Sequence, residues 1–272
     1  MKYRWLGLLM SMMLLLPANT WAVTCAELDN NEKIVEFSKK AREHNPLFRK
    51  QISSMLDIKT TEEGKKAKSM LHNLRMDERK RTYVVKGKDA PMCMVTVGSR
   101  DFKCNECTQL TNSQCRSYKS DENSTTIQGT NIDKKDVELM EDPNFQSKCV
   151  DDPEQPDYIK IESTRIGGDS PYDSIESYYD KEKEVNISMS FLADKILRKV
   201  YRYFPKYYIQ IEGEWMSTVS WVRTVKGRED QPTFETMIVV KKDDSKKYMI
   251  YNDPKTDPIL KGLDFGTVYN TN

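Results

Sequence analysis

Apolar residues recur along this chain in two spacings, and the spacing switches several times. Leu6 to Leu16 is an unbroken apolar run that ends at Pro17. Between 26 and 45, Ile34, Val35, Phe37 and Ala41 form a helical stripe, which Asn45-Pro46 ends because a residue before proline avoids the helical region. Leu47, Phe48, Ile52, Met55 and Leu56 repeat the amphipathic pattern. Thr60-Thr61-Glu62-Glu63 reads as a capping box opening a third helix through Ala67, Met70, Leu71 and Leu74. Strand-like alternation follows at Thr82–Val85 and Met92–Val97. Residues 119–131 are rich in Ser, Thr, Asn and Asp and read as an exposed loop, and Asp133–Met140 as a short helix.

The second half repeats the alternation on a larger scale. Tyr158–Ser163 is a strand candidate, and Gly167-Gly168 a turn. Met189, Leu192, Ala193, Ile196, Val200, Tyr203 and Phe204 fall within one arc at 100° per residue, which predicts a helix over about 188–204 stopped by Pro205. Four strand-like runs follow: Tyr207–Ile211, Trp215–Val225, Phe234–Lys241 and Lys247–Tyr251. Lys242 to Lys246 is the hairpin turn between the last two. The expected fold class is therefore α+β: an N-terminal helical and β segment, then a C-terminal helix packed on an antiparallel β-meander.

The apolar run at the start changes the meaning of the cysteines. Lys2 and Arg4 precede it, it is too short to span a bilayer, and Thr20-Trp21-Ala22 supplies small residues at a cleavage position. Residues 1–22 read as a signal peptide, and the expected location is secreted or periplasmic. No later run is long enough for a transmembrane segment. In an oxidising compartment the six cysteines, Cys25, Cys93, Cys104, Cys107, Cys115 and Cys149, read as three disulfides with 15 possible pairings. All lie before residue 150. That asymmetry divides the chain into a cysteine-containing domain over 23–150, an acidic, proline-bearing linker over 151–157, and a cysteine-free domain over 158–272.

Charged residues make up 31% of the chain, and once the leader is removed acidic residues exceed basic ones by one. Such a balance argues against a nucleic-acid binder. Cys104-Asn105-Glu106-Cys107 has the form of a thiol redox pair, but Thr108 to Asn112 after it make a poor helix, so the thiolate-stabilising N-terminus is missing. One close cysteine pair falls short of a zinc ribbon. His44 and His72 stand in no nucleophile context and read as surface or boundary residues. No catalytic group, metal site or cofactor motif emerges. Asn123-Ser124-Thr125 and Asn186-Ile187-Ser188 are glycosylation sequons.

What remains is a binding surface. Lys195, Arg198, Lys199 and Arg202 share the arc opposite the apolar stripe of the expected helix, and Lys206 follows, with Tyr201 and Tyr208 adding aromatic area. Trp215 and Trp221 lie on one face of the next strand. These residues suit a protein, glycan or lipid-headgroup partner. The leading expectation is a non-enzymatic binding or interaction module. The architecture so read resembles helix-on-curved-sheet folds of the NTF2-like kind and the half-barrel carriers of lipids and lipoproteins in the periplasm. That resemblance, one of architecture, implies a carrier of an apolar ligand or lipid. A thiol–disulfide protein using Cys104 and Cys107 is the third reading.

Overall fold

The computed structural model describes residues 22–257 apart from 50, 78–79, 88–89, 98–99, 105–114, 119–129, 134–135 and 137–138. The signal-peptide reading, Cys107 and the sequon at Asn123 lie outside the described residues.

One α-helix is present among the described residues, α1 (Asn31–Arg42). Its start is written locally: the Asn30 side chain accepts from Lys33 N at 3.0 Å, and Glu32 lies in the first turn. Lys39, Lys40 and Arg42 complement its last turn, and Ile34, Phe37, Ser38 and Ala41 form its buried face.

Nearly everything else is antiparallel strand, which overturns the α+β expectation. In chain order the strands are β1 (Ile52–Glu62), β2 (Lys65–Asp77), β3 (Lys80–Gly87), β4 (Ala90–Val97), β5 (Arg100–Cys104), β6 (Cys115–Tyr118), β7 (Phe145–Val150) and β8 (Tyr158–Arg165). They continue with β9 (Ser174–Asp180), β10 (Val185–Ala193), β11 (Ile196–Tyr203), β12 (Tyr208–Ile211), β13 (Glu214–Ser217), β14 (Val219–Gly227), β15 (Pro232–Val240) and β16 (Ile250–Tyr251). A 14-stranded sheet runs β6-β5-β4-β3-β2-β1-β15-β14-β11-β10-β9-β8-β7, with β16 beside β1; β12 and β13 form a separate hairpin. Residues 151–157 are the connection between β7 and β8, which pair directly, and strands from both sides of it join the one sheet.

The two largest errors of the sequence reading share a cause. The expected helix over 188–204 is the β10–β11 hairpin, turned by Asp194 and Lys195 at φ 54° and 63°. The expected third helix is β2, paired to β1 through Glu63 and Gly64 at φ 47° and 82°. Two short alternating runs separated by a two-residue turn change phase at the turn. Read straight through, that phase change imitates a 3.6-residue period. The apparent capping box is the hairpin's own approach to its turn.

The core lies on the sheet face beneath α1. Ile34, Phe37 and Ala41 meet Phe145, Ile159, Tyr179 and Met189 there, with Phe37 and Tyr179 edge-to-face at 5.1 Å between ring centres. Register shifts at Asn186/Ser188 and Phe191/Leu192 in β10, and at Leu197/Lys199 in β11, bend the central strands under the helix. The Cys25–Cys149 disulfide ties the segment before α1 to β7 across 124 residues. Cys93 faces Cys104, and Cys104 faces Cys115, in the backbone register of β4, β5 and β6.

Candidate functional site

β6 and β7 lie at opposite edges of the sheet, and the described residues that lead into β7 (130–133, 136 and 139–144) form a strap across the face that α1 covers. Asn131 anchors it to β14 and β15: its side-chain nitrogen donates to Val222 O at 3.2 Å and Phe234 O at 3.0 Å. Ile132 is fully buried beside it. Asp136 then meets β11, where Lys199 Nζ lies 2.5 Å from Oδ2 and the Tyr201 hydroxyl donates to the same oxygen at 3.0 Å. Burial pushes the Asp136 carboxyl above its ordinary value, although Lys199 pulls the other way. Burial also raises the phenols of Tyr172 and Tyr201, with the Asp136 charge adding to it, so both stay neutral donors. Glu141 closes the strap onto α1 through Arg42 at 2.6 Å.

Between α1 and the sheet a narrow seam remains. Ala41, Phe48, Met189, Tyr179, Tyr203 and Asn186 are among the residues that line it. The bulge at Ile187 lets both Asn186 and Met189 face the same side. The seam holds about 20 Å³, room for one water. Beyond the C-terminal end of α1 lies a second, wider cleft of about 310 Å³, open to solvent. Its walls are Lys40, Glu43, His44 and Arg49 on one side, and Glu182–Glu184 with Gly213–Trp215 on the other.

The residues picked from the sequence fall on opposite faces. Tyr201 and Tyr208 are buried on the α1 side; the Tyr208 hydroxyl donates to Asn186 O at 2.7 Å. Arg202 and Trp221 are register partners on the other face. There Arg202 binds Glu229 through two nitrogens at 2.9 and 2.6 Å, and Arg223 lies 4.5 Å over the Trp221 ring. Arg198 is half-buried on β11, and Lys206 sits 4.9 Å over the Tyr207 ring. The basic arc therefore does not exist as one patch, because strand alternation sends Lys199 inward and Arg202 outward. Trp215 lines the open cleft. The Asn186 sequon is buried.

The sequence reading also missed a Ser–His–Asp cluster. His72, far from being a surface residue, is 4% exposed; its Nε2 lies 2.8 Å from Ser53 Oγ and 2.9 Å from Asp257 Oδ2. Ser53 also bonds Asp257 directly. Both partners share one ring nitrogen, whereas a catalytic relay uses the two nitrogens for two different partners. The cluster is a closed clamp that holds residue 257 against β1 and β2. No local signal marks it, since its ends are 204 residues apart. Among the described residues no helix is long and apolar enough to cross a membrane.

No protein-family model matches this chain, and no curated protein does. Solved structures do. A domain from Vibrio parahaemolyticus described as an outer membrane lipoprotein-sorting protein superposes with a TM-score of 0.53 at 11% identity, over 77% of this chain and 91% of that one. A LolA superfamily protein from Nitrosomonas europaea gives 0.53 at 11% identity, over 77% and 90%. A DUF1329 family protein from Desulfovibrio piger gives 0.53 at 10% identity, with the same coverage. At such identities the likeness speaks for the shape of the chain alone: this is a LolA-like fold, a broad antiparallel sheet with one face roofed by α1 and the strap.

Proposed function

We propose that this protein is an exported, non-enzymatic carrier that takes up an apolar chain, such as the acyl chain of a lipid or lipoprotein, beneath α1. The observation that carries this reading is the seam between α1 and the sheet, in a fold shared with a protein named for lipoprotein sorting. Export accords with the Cys25–Cys149 disulfide, a bond that persists in oxidising compartments.

The seam is closed as it stands. About 20 Å³ holds no acyl chain, and ligand pockets ordinarily measure roughly 300 Å³ or more. Uptake therefore requires α1 to lift. The helix contributes Ile34, Phe37 and Ala41 to the core, a burial of about 4–7 kcal/mol. A chain of about twelve methylenes entering the same space gains about 10 kcal/mol. The ligand thus offers more apolar area than the helix face gives up, a surplus set against an association cost of about 4–15 kcal/mol, and its binding shifts a closed population toward an open one. The disulfide keeps the base of the displaced segment attached to β7.

Uptake of cis-parinaric acid, followed by its fluorescence and displaced by unlabelled oleate, tests the reading. Saturable one-to-one binding is the expected result. No binding at tens of micromolar ligand, together with a lipid-free organic extract of the freshly purified protein, overturns it.

A further inference from the structure

We propose that the cleft at the C-terminal end of α1 is a headgroup site for a zwitterionic phospholipid, one that carries a phosphate and an ammonium together. The proposal rests on the apolar-chain reading above and names its substrate class.

The first argument is continuity. One stretch of chain, residues 40–49, separates the cleft from the seam. Ala41, Arg42, Asn45 and Phe48 line the seam, while Lys40, Glu43, His44 and Arg49 line the cleft. This partition is hydrogen-bonded on both flanks. Ser217 N donates to His44 O at 2.8 Å, His44 Nδ1 lies 2.7 Å from Trp215 O, and Asn73 donates to Pro46 O at 2.6 Å. A lipid whose chain lay under α1 would leave past Phe48 and bring its polar end into the cleft.

The second argument is the pattern of charge. Cations and carboxylates alternate around one indole. Lys40 Nζ meets Glu184 Oε2 at 2.5 Å, Arg49 pairs with Glu214, and Lys183 Nζ lies 5.6 Å over the Trp215 ring and 3.0 Å from Asp180 Oδ2. A simple anion drawn to Lys40 and Arg49 would strip Glu184 and Glu214 of their partners. A simple cation would do the same to Lys40 and Arg49. A ligand with both charges exchanges pair for pair: its phosphate takes Lys40 and Arg49, and its ammonium takes the two glutamates. Lys40 is 67% exposed, so the Lys40–Glu184 pair given up is a weak one. The cleft's volume of about 310 Å³ is large enough for a headgroup.

The test uses the full exported chain, stripped of lipid and incubated with vesicles of equal parts phosphatidylethanolamine and phosphatidylglycerol. Protein-bound lipid is then read by native mass spectrometry. We expect phosphatidylethanolamine to be retained about tenfold over phosphatidylglycerol, and the ratio to fall to about one in Glu184→Gln and in Glu214→Gln. The ratio is internal, so a variant that folds poorly lowers both lipids alike and leaves it unchanged. Equal retention of the two lipids, or a preference for phosphatidylglycerol, overturns the headgroup site. So does selectivity that survives in both variants. If cis-parinaric acid still binds in those cases, the apolar-chain reading stands. If neither lipid nor parinaric acid binds, both fall.

Discussion

Lys199→Met isolates a buried ion pair that pins the strap to the sheet. Asp136 and Lys199 have side chains 5% and 11% exposed, 2.5 Å apart, with Tyr201 donating to the same carboxylate oxygen at 3.0 Å. Removing the lysine leaves a buried carboxylate with only the neutral phenols of Tyr201 and Tyr172 and no cation. Breaking such a pair from one side costs about 3–5 kcal/mol. The cost has a pH signature. Burial already holds the Asp136 carboxyl above its ordinary value, and Lys199 is the main force holding it down. A raised folded-state value means that the protonated form favours folding; its stability is present in acid and lost as pH rises through that value. Without Lys199 the value climbs further, so the variant's deficit grows with pH at up to about 1.4 kcal/mol per unit. Urea unfolding of both proteins at about pH 5 and about pH 7 measures this. A deficit larger at pH 7 by about 1–3 kcal/mol is expected. A deficit below about 1 kcal/mol at pH 7, or one that is larger in acid, refutes the reasoning. Asp136→Leu combined with Lys199→Met should recover most of the loss, because no charge is then left unpaired.

Three further expectations follow from other elements. Cys25→Ser with Cys149→Ser should lower stability by about 2–5 kcal/mol, seen as a fall in urea midpoint that reductant reproduces in the parent protein and not in the variant. Gly168→Ala should cost about 1–3 kcal/mol in thermal or urea unfolding. Gly168 has φ +71°, and an added Cβ would sit 2.9 Å from the Asn144 side chain; a neutral result would show that Asn144 gives way freely. His44 is held below its ordinary value by burial, and its Nδ1 must donate to Trp215 O because that carbonyl can only accept. A depressed value makes its contribution full above about pH 6.5 and lost as pH falls from there through the lower folded-state value. His44→Gln should therefore flatten the acid limb of the stability curve, and an unchanged limb would exclude His44 as its source.

Helix α1 was legible within the expected 26–45 because its signals are local: the stripe of Ile34, Phe37 and Ala41 and the break at Asn45-Pro46, a few residues beyond its end at Arg42; the Asn30 cap that sets its start was not read. The strands around Thr82–Val85, Met92–Val97, Tyr158–Ser163 and Phe234–Lys241 were legible for the same reason, since alternation and a nearby turn suffice to mark them. The β10–β11 and β1–β2 hairpins were not, because Asp194-Lys195 and Glu63-Gly64 are tight turns without the usual asparagine–glycine signature, and the phase change hid them. The site was less legible still. Trp215 was picked out and does line the open cleft, whereas Arg202 and Trp221 face away from α1. Cys25 and Cys149, Asp136 and Lys199, and Ser53 and Asp257 meet across 124, 63 and 204 residues respectively, and no spacing in the chain encodes such meetings. By itself the sequence determined which segments alternate, that a helix lies within 26–45, and that the cysteines expect an oxidising compartment. Only the tertiary structure decided that the alternating segments join one sheet, and that α1 and the strap roof a single face of it. The reason is that ladder hydrogen bonds and face burial depend on which strands become neighbours, a choice made by the whole chain at once.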